Sequence, residues 1–440
     1  PWGSIVFVNH FCSVSPRIPP ACLESPPMLC LKFARLFLLL LSMVLAIGGP
    51  ATVAHAHEFN PQELGTKLSV GYSVRVLDVN ADGKQDIAIV DSRRVLWLEN
   101  PSWNEHVVYE TPDAKFDNVC FAAHDVNGDG RIDFALGADW QFGNSDSGGT
   151  IGWLEQTSEG PWVYRKIASE PTTHRMQWAD LTGDGRASLV VAPLKGRGTR
   201  GPGFDQVGVR LLAFTPGADP AKETWSRRVL TDELHVMHGL QVADLNQDES
   251  EDLLTASYEG VTWLQAGASG MQLKRLGTGQ EQPAPKRGAS EVRQGRLADG
   301  QLYLATIEPW HGDKVVVYIA PHDWQTSSEL WARFVLDEQL AWGHAVVCAN
   351  LDDDPEEELV VGVRDDLSSE HRSGVRIYDP VNPAEGGWSR ELLDAGGVAV
   401  EDLTVADLDN DGDMDIVAVG RATHNVKVYW NQSRREQSEP

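Results

Sequence analysis

The stretch Asp78-Val79-Asn80-Ala81-Asp82-Gly83-Lys84-Gln85-Asp86 runs directly into Ile87-Ala88-Ile89-Val90. Oxygen-bearing side chains stand at positions 1, 3, 5 and 9 of the block, with glycine at position 6. The pattern returns as Asp125, Asn127, Asp129, Gly130 and Asp133, and again as Asp407, Asp409, Asp411, Gly412 and Asp415. Weaker copies begin at Asp180 (Thr182, Asp184, Gly185, then Ser188), at Asp244 (Asn246, Asp248, Asp252) and at Asn350 (Asp352, Asp354, Glu358). Successive starts lie 47, 55, 64, 106 and 57 residues apart. The longest gap is twice an ordinary interval, which places a degenerate copy near Gly295–Leu304 that keeps the strands and loses the acidic block. Self-similarity at such a period marks a repeat architecture, in which each unit buries its apolar face against its neighbours.

Each unit reads as four short strands. One enters the acidic loop, a second leaves it (Ile87–Val90), a third follows (Val95–Leu98) and a fourth closes (Trp103–Tyr109). β-Branched residues and period-two alternation favour strands, and no segment sustains a helical period. Fourth strands recur at Trp162–Ile167, Trp225–Leu230, Met271–Leu276, Trp331–Leu336 and Trp388–Leu393. The last unit ends at Tyr429-Trp430 with three strands, so Phe59–Leu68 is expected to supply its outer one and leave no free edge. The fold class is all-β: a seven-bladed β-propeller over residues 57–433, its ring closed by the N-terminal strand. Length alone would suggest two or three domains; the repeat makes one.

The residues before it read differently. Leu36–Ile47 is an apolar run behind Lys32 and Arg35, followed by Ala54-His55-Ala56. It is shorter than the roughly 20 residues of a membrane span. Residues 28–56 therefore read as a secretory signal with cleavage near His57 and a secreted or periplasmic product. Residues 1–27 read as a segment upstream of the natural start at Met28, and 434–440 as a disordered tail. Only Cys120 and Cys348 follow the signal, too few for a disulfide framework. Against 37 Lys+Arg stand 64 Asp+Glu, a net charge of −27 that argues against nucleic acid as a partner.

Clustered carboxylates in a tight turn repel one another unless a hard cation neutralises them. Oxygen ligands with a turn glycine suit calcium. The expected structural calcium ligands are Asp78, Asn80, Asp82 and Asp86; Asp125, Asn127, Asp129 and Asp133; Asp244, Asn246, Asp248 and Asp252; and Asp407, Asp409, Asp411 and Asp415. These loops resemble the FG-GAP or VCBS repeats of integrin-like propellers, where they usually serve as structural clips.

Six residues before the first loop position of each blade stand Tyr72, Val119, His174, His238, His344 and Glu401. Three histidines at one register, at the start of the strand that lines the channel, can converge although remote in sequence. The loops after the second strands return to that face with Asp139-Trp140, Lys195, Tyr258, Trp310-His311, Arg364 and Arg421. Convergent imidazoles suit zinc or another borderline transition metal, and a catalytic zinc keeps three protein ligands and one open position.

The runs Thr173–Met176, His235–Gly239, Glu308–Gly312 and His344–Ala349 are similar to the propeller domain of the aldos-2-ulose dehydratase/isomerase family. The resemblance implies a zinc that polarises the keto group of a sugar such as anhydrofructose. It implies His238, His311 and His344 as ligands and His174 as the acid/base. Tyr72, Asp139, Lys195, Tyr258, Trp310, Arg364 and Arg421 are the expected substrate contacts. The family continues into cupin and lectin-like domains, so no isomerase step is implied. The rival readings are a carbohydrate- or protein-binding propeller and a subunit that needs a partner protein. The mouth residues differ from blade to blade, which favours one asymmetric site.

Overall fold

A computed structural model describes residues 57–112, 117–268, 270–352, 354–365 and 373–433. The expected upstream segment, signal and tail lie outside them. The described residues form seven four-stranded antiparallel sheets. Their innermost strands are Gly71–Leu77, Cys120–His124, Thr173–Ala179, Gly239–Ala243, Glu291–Arg296, Gly343–Ala349 and Val400–Ala406, which define blades one to seven. Each innermost strand touches the next, and the seventh touches the first, so the ring is closed.

Burial falls outward along each blade. The second strand of blade one, Asp86–Asp91, is buried throughout, as its unbroken apolar run requires when both sheet faces are covered. Its outer strand, Asn104–Glu110, is polar and largely exposed. Each fully buried aliphatic side chain contributes about 1.5–3 kcal/mol. Blade seven takes its outer strand from the other end of the chain: Phe59–Leu64 pairs antiparallel with Val426–Asn431, Phe59 opposite Asn431 and Leu64 opposite Val426. The pairing ends four residues before the expected Leu68. The fifth blade, which lacks the acidic block, is built from Glu291–Arg296, Leu302–Glu308, Lys314–Ile319 and Ala332–Asp337. Among the described residues no helix is long and apolar enough to cross a membrane.

The loops that begin at Asp78, Asp125, Asp180, Asp244 and Asp407 share one conformation. The first carboxylate accepts the N–H groups of positions 5 and 6: Asp82 (3.1 Å) and Gly83 (2.8 Å) on Asp78, and Asp411 (3.2 Å) and Gly412 (3.0 Å) on Asp407. Position 6 is left-handed, with φ of 86° at Gly83 and 96° at Gly412. In the Asp244 copy Glu249 takes that place at φ 71°, so the loop keeps its shape without glycine. In the copies at Asp78, Asp125 and Asp407 position 9 is a buried aspartate whose two oxygens accept two backbone N–H groups. Asp415 receives those of Leu408 (3.0 Å) and Asn431 (2.8 Å), tying the loop to the end of the third strand. Asp86 and Asp133 do the same. Carboxylate oxygens of Asp407, Asp409 and Asp415 lie within 4.8 Å of one another.

Candidate metal centre

The register of Tyr72, His174, His344 and Glu401 has a physical cause. In blades one, three, six and seven the strand pairing slips at that residue: between Gly71 and Ser73, Thr173 and Arg175, Gly343 and Ala345, and Val400 and Asp402. A bulge leaves one residue unpaired and re-aims its side chain, here toward the channel mouth. In blades two, four and five the corresponding residues, Val119, His238 and Ser290, directly precede the strand. Blade five thus offers no imidazole at the register, and its histidine comes instead from the loop after the second strand, as His311. The acidic loops begin beyond the other end of the same strands, about 20 Å away for a strand of six or seven residues.

Possible ligand atoms of His238, His311 and His344 all lie within 4.8 Å of one another. His238 Nε2 and His311 Nε2 are 2.9 Å apart. His238 Nδ1 lies 2.8 Å from a Glu291 carboxylate oxygen and 3.2 Å from the Ser290 carbonyl. His344 Nδ1 lies 2.5 Å from the Glu401 carbonyl. An acceptor at Nδ1 places the proton there and leaves the Nε2 lone pair free. Two of the three imidazoles are therefore held in the tautomer that a metal needs, and the donor set fits zinc.

His174 stands beside this group, its ring centroid 4.5 Å from that of His238 and 5.1 Å from that of Trp140. A guanidinium nitrogen of Arg175 lies 3.2 and 3.3 Å from its two ring nitrogens. Arg175 also bonds Glu291 at 2.9 Å, which joins His174 to the carboxylate behind His238. Burial, then the cationic Arg175, holds His174 well below the usual imidazole range. Burial also lowers His238, His311 and His344, so neutral rings are favoured throughout. Burial alone would raise Glu291, but Arg175 and His238 outweigh it and hold the carboxyl down at about 2.

A cavity of about 440 Å³ opens over the histidines. Of the residues named above as substrate contacts, Tyr72, Trp310, Arg364 and Arg421 line it, beside His174, His311 and His344. Asp139, Lys195 and Tyr258 do not. Asp139 bonds Gln141 at 2.9 Å in the loop that carries Trp140. Lys195 is buried behind the wall, its ammonium 3.4 and 3.8 Å from the Phe142 and Phe204 ring centroids and 2.7 Å from the Phe142 carbonyl. Burial lowers it to about 8. Tyr258 packs in the same backing with Leu194 and Val236. The structure adds Trp140, Phe142, Trp342 and Glu401 to the lining, and Glu291 beneath it. Glu401 was visible at the register; Glu291, adjoining a register position that carries serine, had no sequence signal.

Fold and site together define a seven-bladed propeller with acidic loops at one end of its innermost strands and a histidine-rich pocket at the other. Residues 78–136 match the FG-GAP-like repeat family, and residues 148–321 match the family described as the aldos-2-ulose dehydratase beta-propeller domain. The chain is 25% identical over 387 residues to aldos-2-ulose dehydratase of Phanerodontia chrysosporium. The match covers 82% of this chain but 41% of that protein. This partial homology supports a propeller of that family. Among solved structures, the Cps50 (Swd1) beta-propeller domain of Myceliophteria thermophila matches with TM-score 0.50 at 8% identity, over 84% of this chain and 99% of that one. BBS1N, solved in complex with ARL6DN, matches with TM-score 0.52 at 14% identity, over 86% and 98%. Both likenesses are of fold alone.

Proposed function

We propose that this chain is an exported propeller with structural calcium in its acidic loops and one zinc-type ion on His238, His311 and His344, acting as a metal-dependent dehydratase on a keto sugar. The observation that carries the reading is the pair of imidazoles locked with Nδ1 protonated, converging with a third beside a fourth that stays outside the ligand group. The homology to aldos-2-ulose dehydratase supports the reaction class, and anhydrofructose is the substrate type it suggests.

The metal, when bound, supplies a Lewis acid that polarises the keto group and acidifies the neighbouring C–H. His174 takes the proton from that carbon. The C–O bond one carbon further breaks, and the departing hydroxyl leaves as water with the proton His174 returns. Electrons balance without oxidant or reductant. Trp140 and Trp310 offer apolar faces to the ring, while Arg364, Arg421 and Glu401 present donors and an acceptor to its hydroxyls. Lys195 and Tyr258 act from behind, by holding the wall.

Metal analysis of chain purified without chelators, with an assay for the unsaturated ketone product, tests this. His238→Ala, His311→Ala and His344→Ala should lose zinc and turnover together. His174→Ala should keep the metal and lose turnover by about 10²–10⁴-fold, the usual general acid–base contribution. A chain that holds calcium but no transition metal, and takes up none when offered zinc, would remove the lyase reading and leave a binding propeller.

A further inference from the structure

The chain is strongly acidic, yet its cavity is cationic. Among the described residues Lys286, Arg364 and Arg421 line it against one lining carboxylate, Glu401, with Asp365 at the rim. Arg421 is matched: one of its terminal nitrogens bonds a Glu401 oxygen at 2.8 Å. Arg364 is matched only at the rim: it donates to the partly exposed Asp365 at 3.3 Å and stands 3.6 Å from Glu401, beyond hydrogen-bond distance. Among the described residues its Nε is buried without a hydrogen-bond partner, and so is the second oxygen of Glu401. The guanidinium lies 4.8 Å from the Trp342 ring centroid, which holds its plane on the indole and leaves the N–H edge to other partners. Lys286 is exposed at the same opening.

A neutral sugar needs hydrogen-bond donors and acceptors in balance. It does not require an excess of cations in a partly buried cavity, where each unpaired charge is costly. We infer that the cavity takes a sugar bearing an anionic oxygen group, a carboxylate or a phosphate, which Arg364 receives on its N–H edge with Lys286 at the opening. The inference takes the sugar itself from the reading above and adds the charge. It separates this chain's substrate from a neutral one such as anhydrofructose.

Calorimetric titration of the metal-free full chain with D-glucose, D-glucuronate and D-glucose 6-phosphate tests it, since no metal is then present to hold the anion. At least one anionic sugar should bind about tenfold or more tightly than glucose at low salt, with an advantage that shrinks as salt is raised. Which of the two it is distinguishes carboxylate from phosphate. Arg364→Met should lose about 10- to 100-fold in affinity for that anion, as for a hydrogen bond to a charged group, and distinctly less for glucose, which loses only a hydroxyl contact to the same edge. Arg364→Lys should keep part of the preference. Equal affinity for all three sugars in the wild-type chain would overturn the inference, and so would equal weakening of charged and neutral sugars by Arg364→Met. Dehydration of a neutral keto sugar without any anion preference would overturn it while leaving the dehydratase reading intact. An anion preference with no dehydratase activity would do the reverse.

Discussion

Replacing Glu291 by Gln isolates the network behind the histidines. The carboxylate is buried, and it meets His238 Nδ1 at 2.8 Å, Arg175 at 2.9 Å and Arg293 at 4.0 Å. Gln keeps the shape and removes the charge, leaving Arg175 and Arg293 without it. Breaking a buried ion pair by removing one partner costs about 3–5 kcal/mol. The Arg175 side chain retains 19% exposure, so a loss near the lower end, about 3 kcal/mol, is expected. The same change removes the charged acceptor behind His238, and such partners typically carry 10- to 100-fold in metal affinity. Urea unfolding of the metal-free chain measures the first effect, and zinc competition against a chromogenic chelator measures the second. Lost stability with wild-type zinc affinity would mean that Glu291 serves Arg175 alone. Wild-type values for both would refute the network as described.

Asp407→Ala should lower the melting temperature and abolish the further fall that calcium chelation causes at that blade, with sugar affinity unchanged, because the loop lies at the far end of the strand from the pocket. Loss of activity at unchanged stability would contradict that placement. Lys195 gives a pH signature. Its folded value is depressed from 10.5 to about 8, so between those values the unfolded chain binds more protons and stability rises with pH. Lys195→Met should remove this rise. At neutral pH it should stabilise the chain by at most about 3 kcal/mol, less whatever the lost ring contacts were contributing. Urea unfolding of both chains between pH 7 and 10.5 checks it, and a wild-type curve that falls through this window would count against the buried, unpaired ammonium.

The ring could be read from the sequence because each blade repeats local chemistry. Asp-x-Asn-x-Asp-Gly blocks such as Asp78–Gly83 set a turn through their own carboxylates, and the apolar runs after them can be satisfied only between two covered faces. The three histidines at one register were legible for the same reason, since the register is counted from that turn. His311 was legible only through topology, as a loop residue returning to the same face. The parts of the site that escaped are those with no repeat to count from. Lys195 and Tyr258 sit on the expected loops, yet Phe142 and Phe204 hold Lys195 in the wall and Leu194 and Val236 hold Tyr258 there, because side-chain direction in a long loop is decided by its neighbours. Glu291 and Arg175 meet across 116 residues.

The amino-acid sequence by itself determined the number of blades, the strand that closes the ring and the face on which the histidines gather, because those follow from period, alternation and the distance from a turn. Only the tertiary structure decided which nitrogen His238 and His344 present, which loop residues reach the cavity and that its described lining carries more cations than carboxylates. Those depend on bulges, on buried acceptors such as Glu291 and the Glu401 carbonyl, and on contacts between blades that no local pattern encodes.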